Sequence, residues 1–386
     1  MPANAVRCKI PAARSPEMNP GIWGRLPEDL LERILALLPL KTLLNLRPTC
    51  KHFNSLLFSP SFLSLTKTPL LSSFLLLSHP QSQPRFPLYD AFLDSWRTLA
   101  LTLPLSCAAH LISTSNGLLC FSLPNSFLIC NFLTKSMKTI QFPSYPFSST
   151  TLISSSSSHV DSPSSSGPGS PSSTAPHGYK IFTLNSASSS AFVYDSGADS
   201  WTQFNGFDPI LNENSHHVGV FFNGSLYFTT REPFSVVGFE LEKGRWEGLA
   251  APMPIKLMFA RLVSGSGAGI QERKLFMVGG VGQNGISRNL KVWELGEDGR
   301  NWVEIGALPE LMCRKLVAVC YHNYEHVYCL WHNGLVCVCC YNWPEILVYK
   351  VARRTWHWLP RCPFLPDKWS CGFRWFSFTP DLYALV

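Results

Sequence analysis

Charged residues are scarce in this chain: Asp, Glu, Lys and Arg make up 15% of its 386 residues, whereas hydrophobic residues make up 46%. This balance excludes a chain that is disordered throughout. Long apolar runs are also missing. Outside the leucine-rich region at 21–63 the longest is LLSSFLLLS at 70–78, which is too short to span a bilayer. The sequence therefore predicts a substantial core and no membrane span.

Two further absences concern location and partners. The first 20 residues contain no apolar segment of the kind that a secretory leader needs. The thirteen cysteines are then expected to be reduced thiols, and the chain to reside in the nucleus or the cytoplasm. The net charge is +7, but there is no run of five or more basic residues. Binding to nucleic acid is therefore not expected.

The chain divides into regions of distinct composition. Residues 1–20 are polar and rich in proline, and we expect them to be disordered. Residues 21–63 are rich in leucine, and residues 64–88, with four prolines, are interpreted as a linker. From 89 to 386, short apolar runs alternate with turn signals, which predicts many short strands. Within that region, 144–176 is nearly all Ser, Pro, Thr and Gly and is predicted to be a disordered insert.

A short pattern recurs six times between 89 and 386. An apolar or aromatic residue is followed by Trp seven positions later (nine in the fifth copy), and then by Leu, Ile or Phe three positions further on. The copies are Tyr89/Trp96/Leu99, Cys130/Met137/Ile140, Tyr194/Trp201/Phe204, Phe239/Trp246/Leu249, Trp293/Trp302/Ile305 and Tyr349/Trp356/Leu359, with Met replacing Trp in the second. The polar residues inside each copy predict a hairpin, with its last two marked residues flanking a bend or bulge.

The spacing of this pattern predicts the architecture. Successive Trp positions are 41, 64, 45, 56 and 54 residues apart, and the longest interval contains the Ser-rich insert. Four strands in roughly 40–50 residues are typical of a β-propeller blade, so six copies predict six blades. No strand pair is expected before the first copy, whereas CGFRWFSF (371–378) and DLYALV (381–386) are expected to be strands. Both chain ends are therefore predicted to close one blade.

Cysteine and histidine raise the question of a metal or catalytic site. In LVCVCC (335–340) we expect Cys337 and Cys339 on one face of a buried strand and Cys340 on the other, because no second ligand pair completes a zinc site. GSGAG (265–269) lacks a phosphate-loop context and is interpreted as a turn. The candidate histidines are expected in loops or at strand ends; they are His216, His217, His322, His326 and His332. We predict no catalytic residue, metal or cofactor.

The leucine-rich region resembles an F-box. The resemblance rests on Leu-Pro followed by an acidic and two apolar residues, a second Leu-Pro, and Cys-Lys-x-Phe. The matching residues are Leu26, Pro27, Asp29, Leu30, Leu31, Ile34, Leu35, Leu38, Pro39, Leu43, Leu46, Cys50, Lys51, Phe53 and Leu56. Pro48 departs from the pattern. It is tolerated if it occupies the first turn of the third helix, where a missing N–H costs little.

The repeat region is similar to kelch repeats, although only Gly279-Gly280 reproduces that family's glycine doublet. Together the two resemblances are those of plant F-box/kelch-repeat proteins. They imply a mainly β chain, in which a small three-helix F-box precedes a six-bladed kelch-type β-propeller. A seventh, degraded blade is the alternative.

A segment of some 40 residues cannot bury so many leucines by itself. Leu30, Ile34 and Leu38 fall at helical spacing along one stripe, so either the propeller or a partner must cover them. The family implies a Skp-type adaptor that bridges to a cullin–RING ligase. The residues implied to bind this adaptor are Leu26, Pro27, Leu30, Leu31, Ile34, Leu38, Pro39, Leu43, Leu46, Cys50 and Phe53.

The family further implies a substrate-recognition subunit of an SCF-type ubiquitin ligase, whose propeller holds a protein substrate and which performs no chemistry itself. Four loop residues are candidates for contact with an acidic substrate: Arg231, Arg288, Arg314 and Arg353. Two alternatives stay open. The chain could be a non-degradative scaffold or transcriptional cofactor, or a propeller enzyme.

Overall fold

The computed structural model describes residues 21, 26–38, 42, 45, 46, 48–56, 59, 62, 65, 73–82, 85–91, 93–100, 109–143, 147, 149–154, 178–185, 190–205, 218–266, 272–320, 323–365, 368, 370–381 and 384–386. It divides into two compact units, Met1–Leu71 and Ser72–Val386. The N-terminal region predicted to be disordered lies outside the described residues, as does 155–177 of the Ser-rich insert.

The first unit is helical where it is described. Helix α1 spans Glu28–Ala36 and helix α2 spans Lys51–Leu56. The Pro27 carbonyl accepts hydrogen bonds from the amides of Leu30 and Leu31 at 3.1 and 3.0 Å, so the proline starts α1 without a donor of its own. Among the described residues of this unit, Leu35, Ala36, Leu56 and Phe62 are buried and form one cluster. Among the described residues, no helix is both long and apolar enough to cross a membrane.

The second unit consists of antiparallel strands. They are β1 (Phe74–Ser78), β2 (Arg85–Asp90), β3 (Ser95–Ala100), β4 (His110–Ser115), β5 (Leu118–Ser122), β6 (Ser126–Asn131), β7 (Ser136–Gln141), β8 (Ser149–Ser154), β9 (Tyr179–Asn185), β10 (Ser190–Asp195), β11 (Ser200–Asn205), β12 (Val220–Phe222), β13 (Ser225–Thr229), β14 (Val236–Glu240), β15 (Arg245–Gly248), β16 (Leu257–Ser266), β17 (Arg273–Gln283), β18 (Ile286–Leu295), β19 (Trp302–Ala307), β20 (Val327–His332), β21 (Leu335–Cys340), β22 (Trp343–Lys350), β23 (Thr355–Trp358) and β24 (Arg374–Phe378). Helix α3 (Glu310–Val319) and two 3-10 turns, Pro80–Ser82 and Tyr324–His326, complete the unit.

These strands form six four-stranded blades, as the repeat predicts. Blade 1 has the order β24-β1-β2-β3, and blades 2 to 6 are β4–β7, β8–β11, β12–β15, β16–β19 and β20–β23. Six apolar clusters lie between the blades, and each is shared by two neighbours. Blade 1 thereby packs on blade 6 as well as on blade 2, so the sheets form a closed ring.

Both ends of the second unit close blade 1, which confirms the predicted closure. β24 pairs with β1 over its whole length, from Phe74↔Phe378 to Ser78↔Arg374. The linker predicted at 64–88 is wrong over its second half, because β1 and most of β2 lie there. Pro87 lies in β2 beyond the last residue paired with β1, so its missing N–H removes no bond to that strand. The expected strand at 381–386 is also absent from its described residues.

Five of the six repeat hairpins position their Trp and the residue three positions later in two neighbouring clusters; in the second copy Met137 is exposed instead. Trp96 pairs with Tyr89 across β2 and β3 and packs between blades 6 and 1, whereas Leu99 packs between blades 1 and 2. An odd spacing along a strand puts side chains on opposite faces. β3 and β11 pair with their neighbours without a register shift, so the predicted bend or bulge is wrong for these two strands. β19 does contain a register shift. In the fifth copy Leu295, not Trp293, pairs with Trp302.

The Ser-rich insert begins later than predicted. Its residues 149–154, STTLIS, form β8, the innermost strand of blade 3. Thr151, Leu152 and Ile153 are buried there, and β-branched residues suit a pleated, half-buried surface. The predicted disorder of this short stretch is therefore wrong, because strand-forming residues lie between its serines.

Candidate functional site

Helix α1 carries apolar side chains on two sides. Leu35 is buried in the helical unit, and Leu31 packs against the same cluster. Leu30, Ile34 and Leu37 are 43%, 37% and 81% exposed. Exposed leucines of this density on a short helix are typical of a surface that a partner covers. We call Leu30, Ile34 and Leu37 the outer leucine surface, although its middle member is isoleucine.

The predicted stripe of Leu30, Ile34 and Leu38 is wrong at its last member. Helix α1 ends at Ala36, and Leu38 then packs against the buried cluster. A helical repeat holds only while the helix continues. Leu37, at the helix C-cap, is the exposed residue instead.

The other residues implied to bind an adaptor differ in exposure. Pro27 and Cys50 are exposed, and Leu26 is half-buried. Leu46 and Phe53 are half-buried and pack against the cluster of the helical unit. Their side chains contribute to folding as well as to any outer surface. Pro39 and Leu43 lie outside the described residues.

Pro48 lies outside the helices that are described. It occupies a turn with Thr49, whose amide donates to the Leu46 carbonyl at 3.0 Å, and α2 begins only at Lys51. Pro48 therefore does not occupy the first turn of that helix, the condition under which it would be tolerated, because the helix begins three residues later. Its missing N–H interrupts no hydrogen bond of α2, since α2 starts beyond it.

The ring has two faces. We call the face where β1 begins the proximal face; it carries the turns from the first to the second strand of each blade and from the third to the fourth. The distal face carries the other turns and the connections between blades. Arg231, Arg288 and Arg314 lie at the distal face, whereas Arg353, in the β22–β23 turn, lies at the proximal face. The four candidate arginines therefore do not form one site.

Helix α3 joins blade 5 to blade 6 and is not anticipated by the strand-dominated interpretation. Its signals are nevertheless in the sequence: Pro309 at the N-cap and Glu310 in the first turn. Cys313 and Leu316 are buried in the cluster between blades 5 and 6. The Cys313 thiol donates to the Arg288 carbonyl at 3.5 Å, which ties α3 to β18.

Two buried polar side chains support the inner strands of the ring. The His332 Nδ1 lies 3.0 Å from the Ser377 hydroxyl, and burial lowers the pKa of His332 to about 4. The Arg261 guanidinium donates to the carbonyls of Ala260, Tyr324 and Val327 at 2.7, 2.6 and 2.6 Å. Burial lowers the pKa of Arg261 to about 10. Arg261 thus holds blade 5 against the start of blade 6.

The cysteines lie as the sequence predicts. Cys337 and Cys339 pack between blades 6 and 1, and Cys340 packs between blades 5 and 6. Burial raises the pKa of the first two thiols, which disfavours the thiolate that binds metal. Within the described part of the chain, no three His, Cys, Asp or Glu residues are grouped to hold a metal ion.

The remaining motif residues are divided between ordered and undescribed segments. Gly265 and Ser266 end β16, so the predicted turn at GSGAG is wrong for them, and the rest of the motif lies outside the described residues. His326 lies in a 3-10 turn and His332 ends β20. His216, His217 and His322 are not described.

A leucine-exposing helical unit followed by a six-bladed ring is the architecture of an F-box protein with a β-propeller. The F-box domain model matches residues 23–65, and the model of the F-box associated beta propeller domain matches residues 106–354. An F-box/kelch-repeat protein of Arabidopsis thaliana is 50% identical over 384 residues, covering 96% of this chain and 90% of its own length.

Two further relatives are more distant. Protein UNUSUAL FLORAL ORGANS of Arabidopsis thaliana is 26% identical over 375 residues, or 90% of this chain and 80% of the relative. Protein ABERRANT PANICLE ORGANIZATION 1 of Oryza sativa subsp. japonica is 27% identical over 404 residues, or 96% of this chain and 91% of the relative. This chain belongs to the F-box/kelch-repeat family of plants.

Proposed function

We propose that this chain is the substrate-recognition subunit of an SCF-type ubiquitin ligase. The F-box binds a Skp-type adaptor, and the propeller binds the protein that is to be modified. F-box proteins with propeller domains are typical of such receptors, and family members are adaptors rather than catalysts. We further propose that the complex acts in the nucleus, the cytoplasm or both.

The observation that supports adaptor binding is the outer leucine surface. Leu30 and Ile34 lie one helical turn apart on α1, and Leu37 follows at its end, all at least a third exposed. Burial of apolar surface is worth about 25 cal/mol per Å². A partner that covers these side chains therefore gains binding free energy, because the covered apolar surface is removed from water.

The propeller then needs only to hold a substrate. The ligase chemistry takes place on a ubiquitin-conjugating enzyme that the adaptor and cullin bring close. Tethering raises the effective concentration of a substrate lysine near the activated ubiquitin, commonly to the millimolar range for short flexible links. No catalytic group on this chain is required by that mechanism.

Adaptor binding can be tested with the outer leucine surface itself. Full-length wild type and the Leu30→Ser/Ile34→Ser variant are compared by titration with a purified Skp-type adaptor. Both side chains are exposed, so the variant is expected to fold, and we expect its affinity to fall at least tenfold because apolar contact area is lost.

The matched control is Leu93→Ser, which removes a 52% exposed leucine from the propeller. It should bind the adaptor like wild type. Wild-type binding without any effect of the double substitution would mean that the adaptor uses other residues. A folded wild type that binds no Skp-type adaptor would contradict the proposed function and favour a non-degradative scaffold.

A further inference from the structure

The distal face has an exposed apolar region around blade 5. Ile255 is 83% exposed and Leu311 is 79% exposed, the highest values among the large hydrophobic residues of the described propeller. Ile286, at the tip of the β17–β18 hairpin, is 47% exposed. Three aliphatic side chains in water on one part of one face are typical of an interaction surface.

Hydrogen bonds join the segments that carry these residues. The Lys256 carbonyl accepts from the Gly282 amide at 3.0 Å, which fixes the segment of Ile255 beside the hairpin. On the other side, the Cys313 thiol donates to the Arg288 carbonyl, which fixes α3 beside the same hairpin. Leu311 and Arg314 are three residues apart on α3, and both are exposed. The three segments are therefore neighbours on the distal face.

Half-buried and buried side chains beneath this surface anchor the β17–β18 hairpin. The Tyr324 hydroxyl accepts from the Ser287 amide at 2.7 Å, and its ring stacks on Phe259 with centroids 4.9 Å apart. Arg261 donates to the Tyr324 carbonyl, as described above. A preorganised surface loses little conformational entropy when a partner binds.

Basic side chains alternate with the aliphatic ones. Lys256 and Arg288 are exposed, and no carboxylate of the described residues lies within 4.0 Å of their charged groups. Arg314 forms an exposed ion pair with Glu310 of the same helix, which is weakly held in water. Glu325, in the following 3-10 turn, is a second acidic residue of this connection. The net charge of the surface remains positive.

We propose that this distal surface, formed by Ile255, Lys256, Ile286, Arg288, Leu311 and Arg314, binds an acidic peptide segment of the substrate that inserts apolar side chains between the basic residues. This inference rests on the proposed function and names the partner chemistry of the propeller. The acidic side chains steer the segment and fix its register, and the apolar ones supply affinity.

A protein segment fits this surface better than nucleic acid does. A DNA duplex presents one charge per roughly 1.7 Å, and its affinity comes from many phosphate contacts. Three cations separated by exposed aliphatic side chains would leave most phosphates unpaired, and the phosphates would cover the apolar atoms poorly. An acidic segment with Leu, Ile or Phe satisfies both kinds of group.

The test is a selection from a random dodecapeptide library displayed on phage, with the full chain alone as the target. Enriched peptides are synthesised and their dissociation constants measured by fluorescence anisotropy. We expect them to be acidic with one or more large apolar residues. Lys256→Glu/Arg288→Glu and, separately, Leu311→Ser should each weaken binding at least tenfold. Higher salt should weaken wild-type binding.

The matched controls lie on the proximal face: Arg245→Glu, at the start of β15, removes an exposed basic residue, and Leu93→Ser removes an exposed leucine. Both should keep wild-type affinity. No enrichment, enrichment of basic peptides, or binding that the distal variants leave unchanged would overturn the inference. The inference would also be overturned if no peptide is enriched and the distal variants bind a 20-base-pair DNA duplex tenfold more weakly than wild type does. None of these outcomes bears on adaptor binding, which the F-box variant tests separately.

Discussion

The helical unit and the ring are both rich in apolar residues, but they use them differently. In the ring, six clusters lie between blades, so the two faces of every blade are covered by its two neighbours. In the described part of the helical unit, Leu35, Ala36, Leu56 and Phe62 are buried, whereas Leu30, Ile34 and Leu37 are exposed. Apolar content alone therefore does not predict what the apolar surface covers. The topology decides what is covered, because in a closed ring both faces of every sheet pack against neighbouring sheets of the same chain.

The difference has a cause in size. A unit of about 70 residues has a high ratio of surface to volume and cannot enclose two apolar sides of one helix. A ring of six sheets has no uncovered blade face, provided that the last blade is completed. Predictions that break the closure should therefore have the largest effects, and those that alter the outer leucine surface the smallest.

Removal of β24 should have the largest effect. A chain that ends at Phe373 loses the partner of β1, together with Trp375 from the cluster of blades 6 and 1 and Phe376 and Phe378 from that of blades 1 and 2. We expect the net stability of the ring, on the order of 5–15 kcal/mol for a domain, to be lost entirely. Calorimetry should show no cooperative unfolding transition of the propeller.

The control truncation removes only Leu385 and Val386, which lie beyond the last strand. Val386 is half-buried against the cluster between blades 2 and 3, so a modest decrease in melting temperature is expected. A chain ending at Phe373 that still unfolds cooperatively, with the wild-type enthalpy, would show that the two termini do not hold the ring closed.

The repeat predicted the ring because each copy performs the same task. The Trp of a copy packs toward one neighbouring blade and the residue three positions later toward the other, so both positions are constrained in nearly every blade. The asparagine-glycine turns were also predicted correctly from the sequence. Asn116, Asn223 and Asn333 all have positive φ, as their turn chemistry requires.

Other features could not be predicted because local signals conflict with tertiary context. Pro87 suggested a linker, yet it lies where β2 pairs with β3 alone. The serines around β8 suggested disorder, yet Leu152 and Ile153 bury a strand there. Arg288 and Arg314 were selected as basic loop residues, but only the fold brings them beside Ile255 and Leu311. No local signal distinguishes Ile255 and Leu311 from the aliphatic residues that the fold buries.

Acidification should destabilise the ring by an intermediate amount. His332 is fully buried, and its pKa in the folded state is about 4, against an ordinary value of 6.5 in the unfolded chain. Between these values the unfolded state binds a proton that the folded state excludes, so the free energy of unfolding falls as the pH falls. One group with this shift lowers the free energy of unfolding by about 2 kcal/mol between pH 7.5 and pH 5.

The measurement is urea unfolding of wild type and His332→Gln at both pH values. The variant should be less stable at pH 7.5 and show a smaller loss on acidification, because glutamine does not titrate. His79 and His357 also have lowered pKa values through burial, so part of the pH dependence should remain. An unchanged pH dependence in the variant would mean that His332 is accessible to protons in the folded state.

The smallest effect is expected where apolar side chains are already in water. Leu30→Ser/Ile34→Ser should change the free energy of unfolding of the helical unit by no more than about 1 kcal/mol, because substitutions at exposed sites remove little buried area. Leu35→Ala, which empties a buried position of the same helix, should cost about 2–5 kcal/mol and shows that the assay detects this unit. Circular dichroism at 222 nm during urea titration measures both changes in the free energy of unfolding.

A large loss of stability in the serine variant would place Leu30 and Ile34 in the fold's own core. A small loss, combined with weak adaptor binding, would show that this helix keeps its exposed residues for a partner, whereas every blade of the ring buries its apolar residues against the next.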